Sequence, residues 1–120
     1  DHDADIEAKF NNGTTALMLA SHEGHEKVVK ILLDHDADIE MKDNDGWTSL
    51  MLASNNGHEK VVTELLNRGA DIEAKLHGVT ALMAAQYHGY DEIADLLTAT
   101  IETRTAAMET ALMSAEDHRL

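Results

Sequence analysis

The sequence predicts an all-α fold built from a repeated helix-turn-helix unit, and two observations support this prediction. The string DHDADIE at positions 1–7 recurs unchanged at 34–40, and GHEKVV at 24–29 recurs at 57–62, so both strings repeat at an offset of 33 residues. A period of about 20 to 50 residues is typical of stacked repeat architectures. Within each unit, apolar residues at helical spacing are interrupted by a glycine, which indicates two short helices joined by a turn.

Each predicted unit begins its first helix at a threonine, since a threonine hydroxyl at the N-cap accepts a hydrogen bond from a free amide of the first turn. A glycine then ends that helix after about two turns, because glycine tolerates the positive φ of a helix C-terminus. The predicted caps are Thr15, Thr48 and Thr80, and the predicted helix-ending glycines are Gly24, Gly57 and Gly89.

The second helix of each unit is predicted to end near Asp36 and Gly69, because Asp, like Gly, visits the left-handed region of backbone conformations. The alternating ADIEAK string that follows, at 70–75 in its third copy, predicts an extended arm leading into a β-hairpin loop. The third copy is one residue shorter than the others, and we expect that residue to be missing between Lys75 and Gly78.

The repeats predict a single domain at 1–120 that contains three full units and two partial ones. A fourth copy is indicated by TALM at 110–113, with 99–104 interpreted as a worn version of the extended arm. Met108 stands where the earlier copies have glycine. The predicted boundaries are 1–10 for the trailing hairpin of a preceding unit, 11–42, 43–75 and 76–104 for the three repeats, and 105–120 for a partial terminal unit.

The composition argues against several classes of function. The 120 residues include 23 Asp and Glu against nine Lys and Arg, a formal net charge of −14, and there is no Cys. A charge this negative repels phosphate backbones, which argues against a nucleic-acid partner. Without Cys there is no disulfide, thiolate zinc site or cysteine nucleophile. The longest apolar runs are five residues, far below the roughly 20 needed to span a bilayer, so we expect no membrane association.

These repeated residues resemble the ankyrin repeat. Each copy has Gly-x-Thr-x-Leu followed by Ala, then Gly-His or Gly-Tyr and a pair of aliphatic residues, and the junctions have Ala-Asp-Ile-Glu. The resemblance covers essentially the whole chain and implies a curved solenoid whose β-hairpin loops project at one edge. It further implies a non-catalytic scaffold for protein–protein interaction, without cofactors and located in the cytoplasm. We expect this module to be a monomer.

One departure from the family pattern affects the first helix of every unit. Met18, Met51 and Met83 stand where ankyrin repeats usually have His. The polar ladder that this His contributes is therefore predicted to be absent. Thioether side chains can fill the same space, but they specify packing less sharply because methionine is flexible.

The resemblance also implies which residues contact a partner, since ankyrin repeats hold partners by their hairpin tips and by the outward side of the first helix. Trp47 is the leading candidate, because Trp is enriched among residues that dominate interface energy. The alternative is that Trp47 packs across the neighbouring hairpin, and for Tyr87 and His88 it is an ordinary solvated surface. The implied positions are Asn11, Asn12, Thr14, His22 and Glu23 in the first copy, Asn44, Asp45, Trp47, Asn55 and Asn56 in the second, and Leu76, His77, Val79, Tyr87 and His88 in the third.

No catalytic or metal-binding residue is expected. The string His22-Glu23-Gly24-His25 resembles a zinc-protease motif, but its two His are three rather than four residues apart, and the glycine ends the helix that would align them. No Ser-His-Asp set can be assigned, because the candidate residues recur as framework. His25 and His58 follow the repeat glycine, where a structural role in the turn is predicted.

Two alternative functions stay open at the level of the sequence. Asp34, Asp36 and Asp38, with Asp45 further on, imitate the start of a calcium-binding loop and suggest an acidic module responsive to divalent cations. The imitation is incomplete, because Ile39 occupies the position that needs Gly and Asp45 replaces a bidentate Glu. The same acidic pattern recurs at Asp1, Asp3, Asp5 and Glu7. The other alternative is that the chain is the binding domain of a larger multidomain protein.

The negative charge is concentrated in the N-terminal half of the chain. Residues 1–10 carry a net charge of −3 and residues 34–45 a net charge of −5. Both segments belong to predicted hairpins, and the second lies directly before Trp47. A partner protein with a basic segment, attracted most strongly at low ionic strength, is therefore predicted.

Overall fold

The computed structural model describes residues 5–119, with side chains described for residues 5–116, and six α-helices make up most of this part of the chain. The helices form three successive pairs, which confirms the predicted α repeat fold. The pairs are α1 (Ala16–Glu23) with α2 (Glu26–Asp34), α3 (Ser49–Asn55) with α4 (Glu59–Asn67), and α5 (Ala81–Tyr87) with α6 (Asp91–Arg119).

The first helix of every pair begins at the predicted threonine. Each threonine side chain accepts a hydrogen bond from the backbone N–H three residues later, at 3.2 to 3.3 Å. This bond satisfies one of the amides that the first turn of a helix leaves free. Thr15 and Thr48 are buried, so water does not compete for these two caps. The bonded pairs are Thr15 with Met18, Thr48 with Met51, and Thr80 with Met83.

Residues with positive φ end the helices where the sequence predicts them. Gly24 has a φ of 79°, and Asp36 has a φ of 66° in the position that glycine takes elsewhere. A Cβ added at Gly24 would lie 2.4 Å from Nδ1 of His58, so this turn lies close against the next repeat. The Nε2 of His58 is 2.9 Å from the carbonyl oxygen of His22. His58 lies in the turn between α3 and α4 and therefore joins that turn to α1 of the preceding repeat. This is a structural role of the kind that the sequence predicts.

The helices stack in two layers. In one layer α1 contacts α3 and α3 contacts α5, and in the other α2 contacts α4 and α4 contacts α6. The core is aliphatic, and Val29, Val61, Leu65 and Leu97 are at most 1% exposed. The radius of gyration is 16.0 Å, larger than the roughly 14 Å of a compact domain of this length. Each pair of helices packs on the next, as the units of a solenoid do.

The ADIE segments between units are turns rather than the extended arms that their alternating pattern predicts. Oδ1 of Asp38 accepts a hydrogen bond from the N–H of Glu40 at 2.9 Å, and Asp71 accepts one from Glu73 in the same way, so each segment curls into an Asx-turn. The N–H of Asp38 donates to Oε2 of Glu7 at 2.8 Å, one repeat earlier. These backbone N–H groups therefore donate to side-chain carboxylates and are not available to pair with a neighbouring strand.

The predicted β-hairpin loops are correspondingly reduced to tight turns. Residues 5–119 contain no β-strand, and their only strand-like pairing is an isolated antiparallel bridge between Leu76 and Val79. The first two turns, at 10–14 and 43–47, each close with a 3.0 Å hydrogen bond between the backbones of their end residues. The third turn spans only 76–79. It is shorter by the one residue that the third copy lacks.

The last helix also differs from the prediction. An extended arm at 99–104 and a separate unit from 105 are predicted, but one continuous helix covers Asp91–Arg119. This range contains no Gly or Pro, and Met108 occupies the place of the earlier glycines, so no residue ends the helix. Within residues 5–119 no helix is both long enough and apolar enough to cross a membrane.

Candidate functional site

The second and third repeats together form an apolar groove of about 500 Å³, which we call the Trp47 groove. The turns before α3 and α5 and one face of α5 supply most of its lining. It brings together seven of the residues predicted to contact a partner, namely Trp47, Asn55, Leu76, His77, Val79, Tyr87 and His88. The other lining residues are Met51, Thr80, Met83 and Ala84.

Trp47 is positioned by the turn that precedes α3. Oδ1 of Asp43 accepts hydrogen bonds from the backbone N–H groups of both Asp45 and Trp47, each at 2.9 Å. The backbone N–H of Asp43 donates in return to the carbonyl oxygen of Trp47 at 3.0 Å. This double closure fixes the backbone of Trp47 at the edge of the groove, where the residue is half-buried. The half-buried indole leaves surface for a partner and still packs on its own domain.

The shortened third turn forms a second wall of the groove. Its end residues, Leu76 and Val79, exchange two backbone hydrogen bonds of 3.0 and 2.9 Å. Its central residues, His77 and Gly78, both have positive φ, at 51° and 79°. Positive φ at both central positions is the property of a two-residue type I′ turn. Because this turn is tight, it holds Leu76 and Val79 side by side against the groove.

One face of α5 supplies the floor. Met83 and Tyr87 lie three and seven residues after Thr80, a spacing that places all three on the same side of a helix. Tyr87 is 85% exposed and Met83 is 48% exposed, whereas Met51 on α3 is 4% exposed. In both repeats methionine thus occupies the position where ankyrin repeats usually have His. It is buried in the second repeat and open to solvent in the third.

His88 connects the two repeats behind Tyr87. Its Nε2 lies 2.9 Å from Oδ1 of Asn55, the last residue of α3. Its ring meets the edge of Tyr87 at a centroid distance of 5.1 Å and stacks on Tyr90 at 5.6 Å. The imidazole is therefore held on three sides and fixes the side of the groove that Tyr87 occupies. Asn55 and His88 have this structural role in addition to any contact with a partner.

The repeats of this chain match a known protein family. A family model described as ankyrin repeats in three copies matches residues 1–76, more than half of the chain. The chain belongs to the ankyrin-repeat family. No curated protein gives a significant match. Ankyrin repeats generally act as protein-interaction modules and are typically not enzymes. The unit formed by α5 and the start of α6 lies beyond the matched residues, and it repeats the threonine cap of the two earlier units.

A second groove of this ankyrin-repeat domain, of about 620 Å³, lies one repeat earlier. It contains the predicted contact residues of the first copy and is much more polar than the Trp47 groove. Nδ1 of His22 lies 3.4 Å from Oε1 of Glu23 at its margin. We call it the Thr14 groove, and its predicted members are Asn11, Asn12, Thr14, His22 and Glu23.

Three of the predicted contact residues line neither groove. Asn44 instead joins two adjacent turns, because its N–H and its Nδ2 donate to the carbonyl oxygens of Asn12 and Asn11 at 3.1 and 3.4 Å. Nδ2 of Asn56 donates to the carbonyl oxygen of Leu52 at 2.7 Å and so closes the end of α3. Asp45 is exposed at the tip of its turn.

Sequence reasoning missed the two methionines of the Trp47 groove. Met51 and Met83 were noted only as replacements for the family His, although both line the groove. The signal was present in the spacing, since Met83 lies one helical turn from both Thr80 and Tyr87. A residue three positions after Thr80 and four before Tyr87 lies on the same face of α5 as both.

An ion-paired cluster of charged side chains joins α2 to α4. The guanidinium of Arg68 on α4 hydrogen-bonds to Asp34 of α2 and, at 2.9 Å, to Glu64, and the bond to Arg68 lowers the pKa of the Asp34 carboxyl. Across the described residues, no three His, Asp or Glu side chains are grouped to hold a metal ion. Of the predicted acidic patterns, Asp1 and Asp3 lie outside the described residues.

Proposed function

We propose that this ankyrin-repeat domain binds a partner protein by accepting a large apolar side chain of that partner in the Trp47 groove. The domain itself performs no catalysis. The observation that supports this most is the group of exposed apolar side chains at one place, with Tyr87 at 85%, Met83 at 48% and Val79 at 45% exposure. Contiguous exposed apolar surface of this kind marks interaction sites in soluble proteins.

The residue types that line the Trp47 groove favour tight binding of one large apolar side chain of the partner, which we call the anchor. Trp47 and Tyr87 present large, rigid rings, and such residues dominate the energy of protein interfaces when a partner excludes water from them. Met51 and Met83 add polarisable side chains that adapt to the shape of the inserted group. The tight turn at 76–79 and the hydrogen bond between Asn55 and His88 limit movement of the walls. A groove already in its bound shape avoids an ordering cost on association.

Charge defines the flanks of the proposed partner. The groove lining contains no Lys or Arg, and the turn that holds Trp47 also holds Asp43 and Asp45. Residues 34–45 together carry a net charge of −5. We therefore propose that the apolar anchor is followed or preceded by Lys or Arg, which the acidic turn attracts over a distance comparable with the Debye length.

Peptides selected from a random library displayed on phage, using the full chain as bait, test the proposal directly. We expect the selected peptides to share one aromatic or large aliphatic residue with Lys or Arg nearby. Binding should change the fluorescence of Trp47, the only Trp in the chain. Tyr87→Ala and Met83→Ala should each weaken binding about tenfold, and affinity should fall as salt is raised.

Phe10→Ala is the matched control, because Phe10 is a 60% exposed aromatic residue that lines the Thr14 groove. It should leave affinity within about twofold. Selected peptides without an apolar residue would contradict the proposal. So would a loss of binding in Phe10→Ala with none in Tyr87→Ala, which would place the contact in the Thr14 groove.

A further inference from the structure

The C-terminal half of α6 has no counterpart in the other units. α6 has 29 residues, whereas α2 and α4, its equivalents in the stack, have nine each. The last fully buried residue on α6 is Leu97, and Ile101 is only partly buried against the core. Residues from about 105 onward therefore continue as a helix beyond the packed repeats.

One side of α6 has a mostly apolar stripe, which begins at the partly buried Ile101 and continues along the exposed part of the helix; we call it the α6 strip. Its members are separated by four, three, four and three residues, the spacing with which one helix packs along another. Met108 and Leu112, in the middle of the strip, are 66% and 59% exposed. The full strip is Ile101, Thr105, Met108, Leu112 and Ala115.

Packing would stabilise the C-terminal half of α6. This half continues a helix that the repeats already nucleate, but most helical stability in proteins comes from the packing of an apolar face rather than from propensity. Residues 105–116 are all exposed, so the repeats themselves provide little of that packing. Covering Met108 and Leu112 would supply the missing apolar contact.

Among the described side chains, a row of acidic residues lies beside the α6 strip. Glu102, Glu109 and Glu116 recur every seven residues along one side of it, and all three are exposed. At its base, Asp71 and Glu73 border a cavity of about 260 Å³ that Ile101 and Met108 also line. The cation at that base, Arg104, is already bonded to two backbone carbonyl oxygens. These described side chains therefore carry five negative charges against the one positive charge of Arg104, so the surroundings of the strip are acidic on balance.

We propose that the α6 strip docks an amphipathic helix of another protein, with apolar residues at alternating three- and four-residue spacing and Lys or Arg beside them. Apolar residues would cover Met108 and Leu112, and the cations would face the row of glutamates, as charges beside an apolar seam do in paired helices. A second copy of this chain fits less well. It would bring an equal row of glutamates and another net charge of −14, which oppose association.

The test uses the full chain and a synthetic helical peptide about three heptads long, with Leu at the seam positions and Lys beside them. A scrambled peptide of the same composition is the peptide control. We expect the seam peptide to bind and to raise the helical content measured by circular dichroism. Leu112→Lys should weaken binding at least about tenfold, because it places a charge in the seam. Glu109→Gln with Glu116→Gln should weaken binding and reduce its salt dependence.

Thr110→Lys is the matched variant, since it adds the same charge on the opposite side of α6. Its hydroxyl bonds only to Ala106 of its own helix, so affinity should stay within about twofold of the unchanged chain. Equal binding of the scrambled peptide, or no effect of Leu112→Lys, would overturn the proposal. A dimer that forms without peptide in sedimentation and dissociates in Leu112→Lys would also overturn it, in favour of a second copy. Tyr87→Ala should leave binding of the seam peptide unchanged, so the outcome is independent of the Trp47 groove.

Discussion

Nη1 of Arg104 donates a hydrogen bond to the backbone carbonyl oxygen of Ala70 at 2.8 Å, across 34 residues of sequence. Nη2 of the same side chain donates to the carbonyl oxygen of Leu66 in the last turn of α4 at 3.0 Å. The last carbonyls of a helix have no partner within the helix, and cationic side chains interact favourably with them. Arg104 therefore closes the end of α4 with a residue of α6 and fastens the last helix to the stack.

Arg104→Met should destabilise the domain by about 2 kcal/mol, because it leaves two partly buried carbonyls without a charged donor but keeps the aliphatic packing. Arg104→Lys should lose less, since an ammonium can still reach one carbonyl. Urea unfolding followed by circular dichroism measures both. Equal stability of the Met variant and the unchanged chain would show that the two bonds make no net contribution.

Two equivalent valines offer an internal comparison of burial. Val28 and Val61 are 33 residues apart in the repeat, but Val28 is 45% exposed and Val61 is 1% exposed. Val61→Ala should cost about 2 kcal/mol of unfolding free energy, from lost transfer energy and a residual cavity. Val28→Ala should cost about 0.5 kcal/mol or less. A similar loss in both variants, measured in the same urea titration, would mean that the two repeats are packed alike in solution.

The local features of the fold could be predicted from the sequence because short-range chemistry determines them. A threonine cap, and the positive φ of Gly24 and Asp36, depend on residues within one helical turn. The prediction of extended arms for the ADIE segments is wrong, because alternation of polar and apolar residues does not distinguish an extended arm from an Asx-turn. The carboxylate of Asp38 decides between them, because it accepts a hydrogen bond from the N–H of Glu40 two residues later. Asp5 and Asp71 do the same in the other copies. The N–H of Asp38 is also bonded to Glu7 of the preceding repeat, a contact that the alternating pattern does not reveal.

Contacts between residues far apart in the sequence also determine the last helix and the candidate site, and these contacts could not be predicted from the repeat pattern. The TALM string at 110–113 matches the start of a repeat and begins with Thr110, but no glycine precedes it to end the helix. The Thr110 hydroxyl bonds back to Ala106 instead of capping a new helix. Arg104 makes its contacts with carbonyls more than 30 residues earlier. In the Trp47 groove, the repeat register located Trp47 and Tyr87. It gave no indication that the third turn and α5 would enclose a continuous apolar space with them.

The shortened turn makes a prediction about backbone strain. His77 has a φ of 51° as the first central residue of the turn, a region in which Asn is favoured and β-branched residues are strained. His77→Asn should raise the unfolding free energy by about 0.5 kcal/mol, and His77→Val should lower it by about 1 kcal/mol. Thermal unfolding of the two variants at one pH provides the measurement. If both variants change stability in the same direction, the backbone conformation of residue 77 does not control the effect.

The ion pair between α2 and α4 predicts a dependence of stability on pH. The hydrogen bond from Arg68 lowers the pKa of Asp34 below its ordinary value of 3.8, with a smaller contribution from the charges of Arg68 and Lys30. Because the folded chain holds this carboxyl ionised more strongly than the unfolded chain does, the pair stabilises the fold above that ordinary value. The stabilisation is lost as the pH falls through the lower folded pKa.

Asp34→Asn should therefore be less stable than the unchanged chain at neutral pH, and the difference should shrink toward zero as the solution is made strongly acidic. The difference should also shrink in high salt, because the pair is partly exposed and exposed charges are screened. Asp45→Asn, which removes the same charge from an exposed turn residue, is the control for the loss of a charge alone. Urea unfolding of the three proteins at a series of pH values decides the matter. A constant offset between Asp34→Asn and the unchanged chain across that series would mean that Arg68 stabilises the stack of α2 on α4 without linkage to the ionisation of Asp34.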